Sequence, residues 1–263
     1  MSARRGVTRH VTTGGVIDLN ADLGEGVGTD HALLGVITSA NIACGGHTGD
    51  VRSMTATVAQ ALARGVRVGA HPSFPDREGF GRRAMSLPLP RLTAAVAEQI
   101  SALLGVVRGQ GAHLQHVKAH GALYNLAASD RALAAAIGEA VRQIDPGLIV
   151  VALAGAPMVE VLERMGLRVA QEAFLDRGYM SAGTLVSREH AGAVLTDRQQ
   201  VAARAVQIVQ ARRVEAIDGT LVPVRADTLC IHGDTPNAVA FAGSAMEALK
   251  NAGITVAAMD TFV

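Results

Sequence analysis

Several short stretches of this chain set ionisable side chains at the spacing that a β-strand turns to one side. In Asp18-Leu19-Asn20-Ala21-Asp22 polar residues alternate with apolar ones, so on a strand the polar side chains share a face. His116-Val117-Lys118-Ala119-His120 repeats the pattern with His116, Lys118 and His120. Lining a cavity, such carboxylates could orient or deprotonate water, and the ammonium could hold a carboxylate or phosphate in a low-dielectric site. His116 and His120 cannot share a metal ion on a strand, where they would sit roughly 13 Å apart at about 3.3 Å per residue. On a solvated edge strand Asp18, Asn20 and Asp22 would do no chemistry, and Lys118 has the alternative of a snorkelling surface amine.

Other polar groups follow other apolar runs. Glu25 lies in a glycine-flanked turn, and Asn41 and His47 bracket a stretch with glycines at 45 and 46. His71-Pro72 precedes Asp76, Arg82 and Arg83 in a long polar loop suited to a lid. Asn125, the group Glu172, Asp176 and Arg177, and His232-Gly233-Asp234 complete the series. Neither glycine-bearing turn is a nucleotide loop. GxxxxGK[ST] is absent, and Gly24-Glu25-Gly26-Val27-Gly28 carries Thr29 where GxGxxG needs its last glycine.

The elements that must position these groups are short apolar runs alternating with longer segments of helical period. Val16–Leu23, Ser39–Cys44, Val66–His71, Leu114–His120, Leu148–Leu153, Leu167–Phe174 and Thr228–His232 read as strands. Val51, Met54, Val58 and Leu62 fall on one helical face after a capping Asp50, and Leu92, Val96, Ile100, Leu103 and Val107 do the same later. Ser129 and Asp197 are candidate caps, and Pro236 suits the first turn of a last helix. Val214–Val224 alternates around Asp218-Gly219 as a hairpin, and Ile254–Ala257 is a candidate edge or closing strand. Strand–helix alternation predicts an α/β fold with a parallel sheet. Polar groups at the carboxyl end of strand after strand favour a closed barrel, since an open doubly wound sheet would gather them at one switch point.

Composition narrows the function. The chain has 263 residues with 24 basic and 23 acidic side chains, a net charge of +1, and 49% hydrophobic residues. That excludes a disordered chain and argues against a nucleic-acid binder, which needs a basic face. There is no tryptophan, with only two tyrosines and five phenylalanines, too few for an aromatic platform. Lys118 and Lys250 are the only lysines. Residues 1–15 read as a flexible polar leader ahead of a single domain over 16–263, and no run of consecutive apolar residues reaches membrane-spanning length. Cys44 and Cys230, far apart and without CxxC spacing, read as reduced thiols of a cytoplasmic protein. A catalytic Cys44 would need a neighbouring base, and His47 stands three residues on.

DLNADLGEG, SANIACGGHTGD, GAHPSFPDREGFGRR, HVKAHGALYN, EAFLDRGY and CIHGDTP occur in that order and together resemble the LamB/YcsF family over residues 16–255. The resemblance implies a distorted seven-stranded, TIM-like β/α barrel of the glycoside hydrolase/deacetylase kind. It also implies a share in ATP-dependent cleavage of the lactam 5-oxo-L-proline to L-glutamate, together with partner subunits B and C of a 5-oxoprolinase. ATP would be bound mainly by those partners and used to activate the amide. On that basis Asp22, Lys118, His120 and His71 are the candidate catalytic residues. Asn20, Glu25, Asn41, His47, Asn125, Glu172, Asp176, Arg177, His232 and Asp234 are candidates for substrate binding. Gly46 stands where the family commonly has an aromatic residue. Two alternatives stay open. The superfamily's deacetylases use a divalent metal, for which Asp22, His47, His71 and His232 form a candidate ligand set in a stand-alone amidase or deacetylase. A non-catalytic binding or scaffold subunit is the other.

Overall fold

The computed structural model describes residues 15–188 and 190–263. Apart from Gly15, the expected polar leader lies outside the described residues. In chain order the elements are β1 (Val16–Leu23), α1 (Asp30–Leu33), β2 (Ser39–Ala43), α2 (Val51–Leu62), β3 (Arg67–His71), α3 (Leu89–Gly109), β4 (His116–Lys118) and α4 (Gly121–Ser129). They continue with α5 (Arg131–Ile144), β5 (Ile149–Leu153), α6 (Pro157–Arg164), β6 (Arg168–Phe174), α7 (Arg198–Ala211), β7 (Arg213–Glu215) and β8 (Leu221–Pro223). Last come β9 (Thr228–Ile231), α8 (Ala238–Asn251), β10 (Thr255–Val256) and a 3-10 turn, Met259–Thr261.

Parallel pairing runs in the order β1-β2-β3-β4-β5-β6-β9, and β9 pairs back onto β1 from Asp18↔Thr228 to Ala21↔Ile231. The sheet is therefore a closed seven-stranded barrel, and the open alternative is excluded. β10 extends the beginning of β1 (Val16↔Thr255) below the point where β9 takes over. It is thus an edge addition, and closure belongs to β9. The β7–β8 hairpin stands apart as a two-stranded antiparallel sheet.

Local sequence accounts for most element boundaries. Asp50 accepts from Ser53 N, and the Ser53 hydroxyl accepts from Asp50 N, a capping box that starts α2. Asp197 caps α7 as its position predicts. Ser129 does not cap α5; its neighbour Asp130 does, accepting from Ala132 N and Leu133 N. Pro236 lies outside α8, whose N-cap is Asn237 in the left-handed region. Val51 is two-thirds exposed, so the inward face of α2 is carried by Met54, Thr57, Val58 and Ala61. Helix α3 is long and apolar enough to cross a membrane by length and composition, which qualifies the expectation from consecutive apolar residues. Here its row Leu92, Val96, Ile100, Leu103 and Val107 is buried, and the helix packs on β3 and α5.

The barrel interior is layered. At its base Met259 packs with Ile149, Val151 and Ala170, backed by Phe262 and Val263, so the C-terminal turn plugs the amino-terminal end. Above the plug the axis is polar. Asp18 Oδ1 accepts from the hydroxyls of Thr38 and Ser39, and Oδ2 accepts from Thr228. Asn20 donates to Glu172 and Thr228, while Asn41 donates to Asn20 and Asp22. The His116 ring spans from Gln115 to Asn41 Oδ1. It fits because β3 presents Gly69 opposite; a Cβ there would collide with the imidazole. The three polar residues of β1 thus face the interior, and the edge-strand alternative fails.

Asp18 yields a first prediction. Burial pushes its carboxyl up from 3.8 to about 6, against the hydroxyl hydrogen bonds that pull it down. A carboxyl raised on folding binds its proton more tightly in the native state, so stability falls as pH rises through that window. The rise corresponds to about 3 kcal/mol. Denaturant titrations between pH 4 and 7 should show Asp18→Asn gaining on the wild type by up to that amount toward pH 7; parallel curves would contradict it.

Candidate active site

The carboxyl ends of the strands open into a cavity of about 660 Å³. Its floor carries Asp22, at the end of β1, and Lys118, at the end of β4. Lys118 is buried, with Nζ 3.0 Å from Asp22 Oδ1, 2.9 Å from Glu172 Oε1, 3.1 Å from Cys230 Sγ and 5.5 Å from the Phe174 ring centre. Burial alone would strip its proton, but Asp22 and Glu172 hold the ammonium well above its ordinary value. Burial alone would likewise raise Asp22, yet His71 and Lys118 keep it well below the usual carboxylate range. The floor is a paired charge with both partners locked, which costs far less than either buried singly.

One wall is a knot of imidazoles. His71 ends β3, His120 caps α4, His47 follows β2, and Glu25 follows β1. His120 Nδ1 lies 3.0 Å from His71 Nε2 and 3.2 Å from Glu25 Oε1. His47 Nε2 donates to Glu25 Oε1 at 3.0 Å, and its ring stacks on His120 at 3.7 Å. Burial lowers His47 to about 4 and also lowers His120, whereas Asp22 outweighs burial and raises His71. The imidazoles of His120, His47 and His71 around it hold Glu25 ionised, below its ordinary value, despite its burial. The loop after β3 is drawn over this knot: Ala122 N donates to Gly81 O, and a Cβ on Gly121 would strike that carbonyl.

The opposite wall comes from β6 and β9. Asp176 is fully buried and accepts from His232 Nδ1 at 3.0 Å and from Thr235 Oγ1. The His232 ring stacks on Phe174 and lines the cavity. Burial opposes ionisation of Asp176, but His232 keeps its carboxyl low. At the mouth Asp234 accepts from Arg82 at 2.6 Å and Arg188 at 2.8 Å, joining the loops after β9, β3 and β6.

The predicted residues therefore occupy different depths. Asp22, Glu25, His71, Lys118, His120, Arg177, His232 and Asp234 line the cavity. Asn20, Asn41, Glu172 and Asp176 lie beneath or behind it, and His47 backs Glu25. Their contacts are with the residues that do line it: Asn41 with Asp22, Glu172 with Lys118, Asp176 with His232. Asn125 is at the exposed rim, and its neighbour Tyr124 is the buried lining residue. Among the described residues, Tyr124 Oη and Glu172 Oε2 are buried without a hydrogen-bond partner. Arg177 spends its guanidinium on the carbonyls of Val186 and Ala193, fixing the excursion after β6. That excursion, with Thr184, Leu185, Ser187 and Arg188, forms much of the wall, whereas the predicted lid contributes Arg82. The candidate metal set is split: His47 and His71 meet Glu25 and His120, while His232 stands with Asp22 and Cys230. Cys44 is buried and pushed up to about 12 by that burial, so it is no thiolate nucleophile.

Comparison with known proteins agrees with this architecture. The chain is 49% identical over 247 residues to the 5-oxoprolinase A subunit of Heliobacterium modesticaldum, covering 92% of this chain and 97% of that one. It is equally similar, at 49% over 247 residues, to the 5-oxoprolinase A subunit of Bordetella pertussis, covering 98% of that protein. Among solved structures, a lactam utilization protein from Thermus thermophilus superposes with a TM-score of 0.86 at 46% identity, over 92% of this chain and 99% of that one. Gly46 is crowded by Gln99, which bonds Ser73 N and O and fills the space. The family model matches residues 17–263, and the chain belongs to the LamB/YcsF family.

Proposed function

We propose that this chain opens the ring amide of 5-oxo-L-proline, as the A component of an ATP-dependent 5-oxoprolinase assembled with B and C subunits. The observation that carries the proposal is the buried Lys118–Asp22 pair on the floor of a polar cavity, in a chain nearly half identical to proteins of that name. A lactam resists hydrolysis, and ATP used at the partner subunits would activate it by phosphorylating the amide oxygen. Water then adds to that carbon, the C–N bond breaks, and the nitrogen takes a proton, leaving an acyl phosphate. A second water releases glutamate and inorganic phosphate, which balances the reaction. Throughout, negative charge develops on oxygen and phosphate, and a preorganised ammonium in a dry site is suited to stabilise it.

Asp22 is already engaged by Lys118 and Asn41, so it orients rather than deprotonates water. The base falls to His232. Its Nδ1 is fixed by Asp176, which leaves Nε2 for a proton, in the base-plus-orienter arrangement of hydrolytic triads. His71 adds positive potential from the facing wall. A cytoplasmic location fits the need for ATP and the two unpaired thiols.

The test is reconstitution with B and C subunits, measuring glutamate release from 5-oxo-L-proline with and without ATP. Release is expected only when the chain, its partners and ATP are all present. Full hydrolysis by the chain alone, without ATP, would replace this reading with a stand-alone amidase.

A further inference from the structure

The imidazole knot has more acceptors than protons. His71 Nδ1 lies 2.8 Å from Lys118 O and His120 Nε2 lies 2.9 Å from Phe80 O. A carbonyl only accepts, so both of those nitrogens carry hydrogen. With both rings neutral the inward nitrogens, His71 Nε2 and His120 Nδ1, turn lone pairs toward each other at 3.0 Å; the proton that makes His71 cationic fills one of these contacts, and a bound metal ion would displace it. Glu25 Oε1 faces the same point, 3.2 Å from His120 Nδ1 and 3.8 Å from His71 Nε2. A single added proton can join one pair of these atoms and leaves the others opposed. A cation at their centre satisfies all of them.

We infer that Glu25, His71 and His120 form a binding site for a divalent transition-metal ion of the zinc class. The spacings are those of a coordination polyhedron: ligands about 2.0–2.1 Å from zinc in a tetrahedron stand about 3.3 Å apart. Outer ring nitrogens tied to backbone carbonyls are the usual support for metal-bound histidine, fixing tautomer and ring direction. The ring geometry divides the histidines by role. His47 lies parallel to His120, 1° between planes at 3.7 Å, so one ion cannot lie in both ring planes. His47 is a positioning residue that donates to Glu25 Oε1 and, among the described residues, leaves its buried Nδ1 without a partner. Phe80 stands edge-on to both rings. Two imidazoles and one carboxylate suit zinc, cobalt or iron better than magnesium or calcium, which prefer oxygen. The ion would face the cavity beside Asp22, whose Oδ2 is 3.4 Å from His71 Nε2.

This inference is independent of the reaction proposed above, because it is read from bound metal and not from turnover. The full chain, stripped with a chelator, is dialysed against zinc or cobalt and its metal content measured. One equivalent should be retained per chain, and the cobalt form should show visible absorption bands of low-symmetry coordination. Glu25→Gln, which keeps the side chain's shape, and His120→Ala should each weaken binding at least 100-fold. His47→Phe should weaken it about 10-fold to 100-fold. Circular dichroism of the stripped variants separates lost affinity from lost fold, and Glu25→Gln serves if His120→Ala does not fold. No stoichiometric metal, or metal retained undiminished by folded Glu25→Gln and His120→Ala proteins, would overturn the assignment.

Discussion

Lys118→Met is expected to reduce ATP-dependent glutamate release by the assembled complex about 100- to 1000-fold, the range for removing a preorganised charge from a reacting oxygen. The substitution also touches stability, and the structure shows how to separate the two. Lys118 holds Asp22 and Glu172 together, so removing it leaves two buried carboxylates facing each other at a cost of about 3–5 kcal/mol. Lys118→Met combined with Glu172→Gln removes one of those charges with the cation. The double variant should regain much of the lost stability and none of the lost activity. Unfolding midpoints and turnover measured on the same preparations decide the matter. Turnover near wild type in folded Lys118→Met protein, or activity recovered with stability in the double variant, would show that Lys118 is only a structural ion.

Asp22→Asn should cost at least about 100-fold in kcat with a smaller change in KM, because the proposed reaction runs against this carboxylate on the cavity floor. It accepts from Asn41 Nδ2 and Lys118 Nζ through the same oxygen, Oδ1. An asparagine can keep that oxygen in place, so the packing survives. What it loses is the negative charge that favours a cationic His71. A loss confined to KM would move Asp22 from chemistry to binding, and unaltered kinetics would remove it from the site.

The fold was largely legible because its signal is local. A period of two in β1, helical rows such as Leu92 to Val107, and caps at Asp50 and Asp197 are each set within a few residues. Alternation also told which face of β1 was polar. It did not tell depth: Asn20 and Asp22 share a face, yet one is under the floor and the other on it. Asn125 and Tyr124 differ by one step of helix rotation, which a short apolar segment does not fix. The excursion after β6 has no period at all, so its wall of the cavity left no mark in the sequence. The four residues offered for a metal do not all converge, for a topological reason. Which strand ends meet depends on barrel closure, and β9 lies beside β1 and β6, away from β3. His232 is therefore delivered to the far wall from His71.

The filled polar axis bears on how such a chain can change over generations. Gly69 is small because His116 is large, His116 bonds Asn41, and Asn41 bonds both Asn20 and Asp22. A lone exchange at any of these positions strands a partner on the next strand, so viable change must come in coordinated pairs across neighbouring strands. The exposed faces of the surrounding helices carry no such obligation. Inherited variation in this barrel should therefore be correlated along its axis and independent around its circumference.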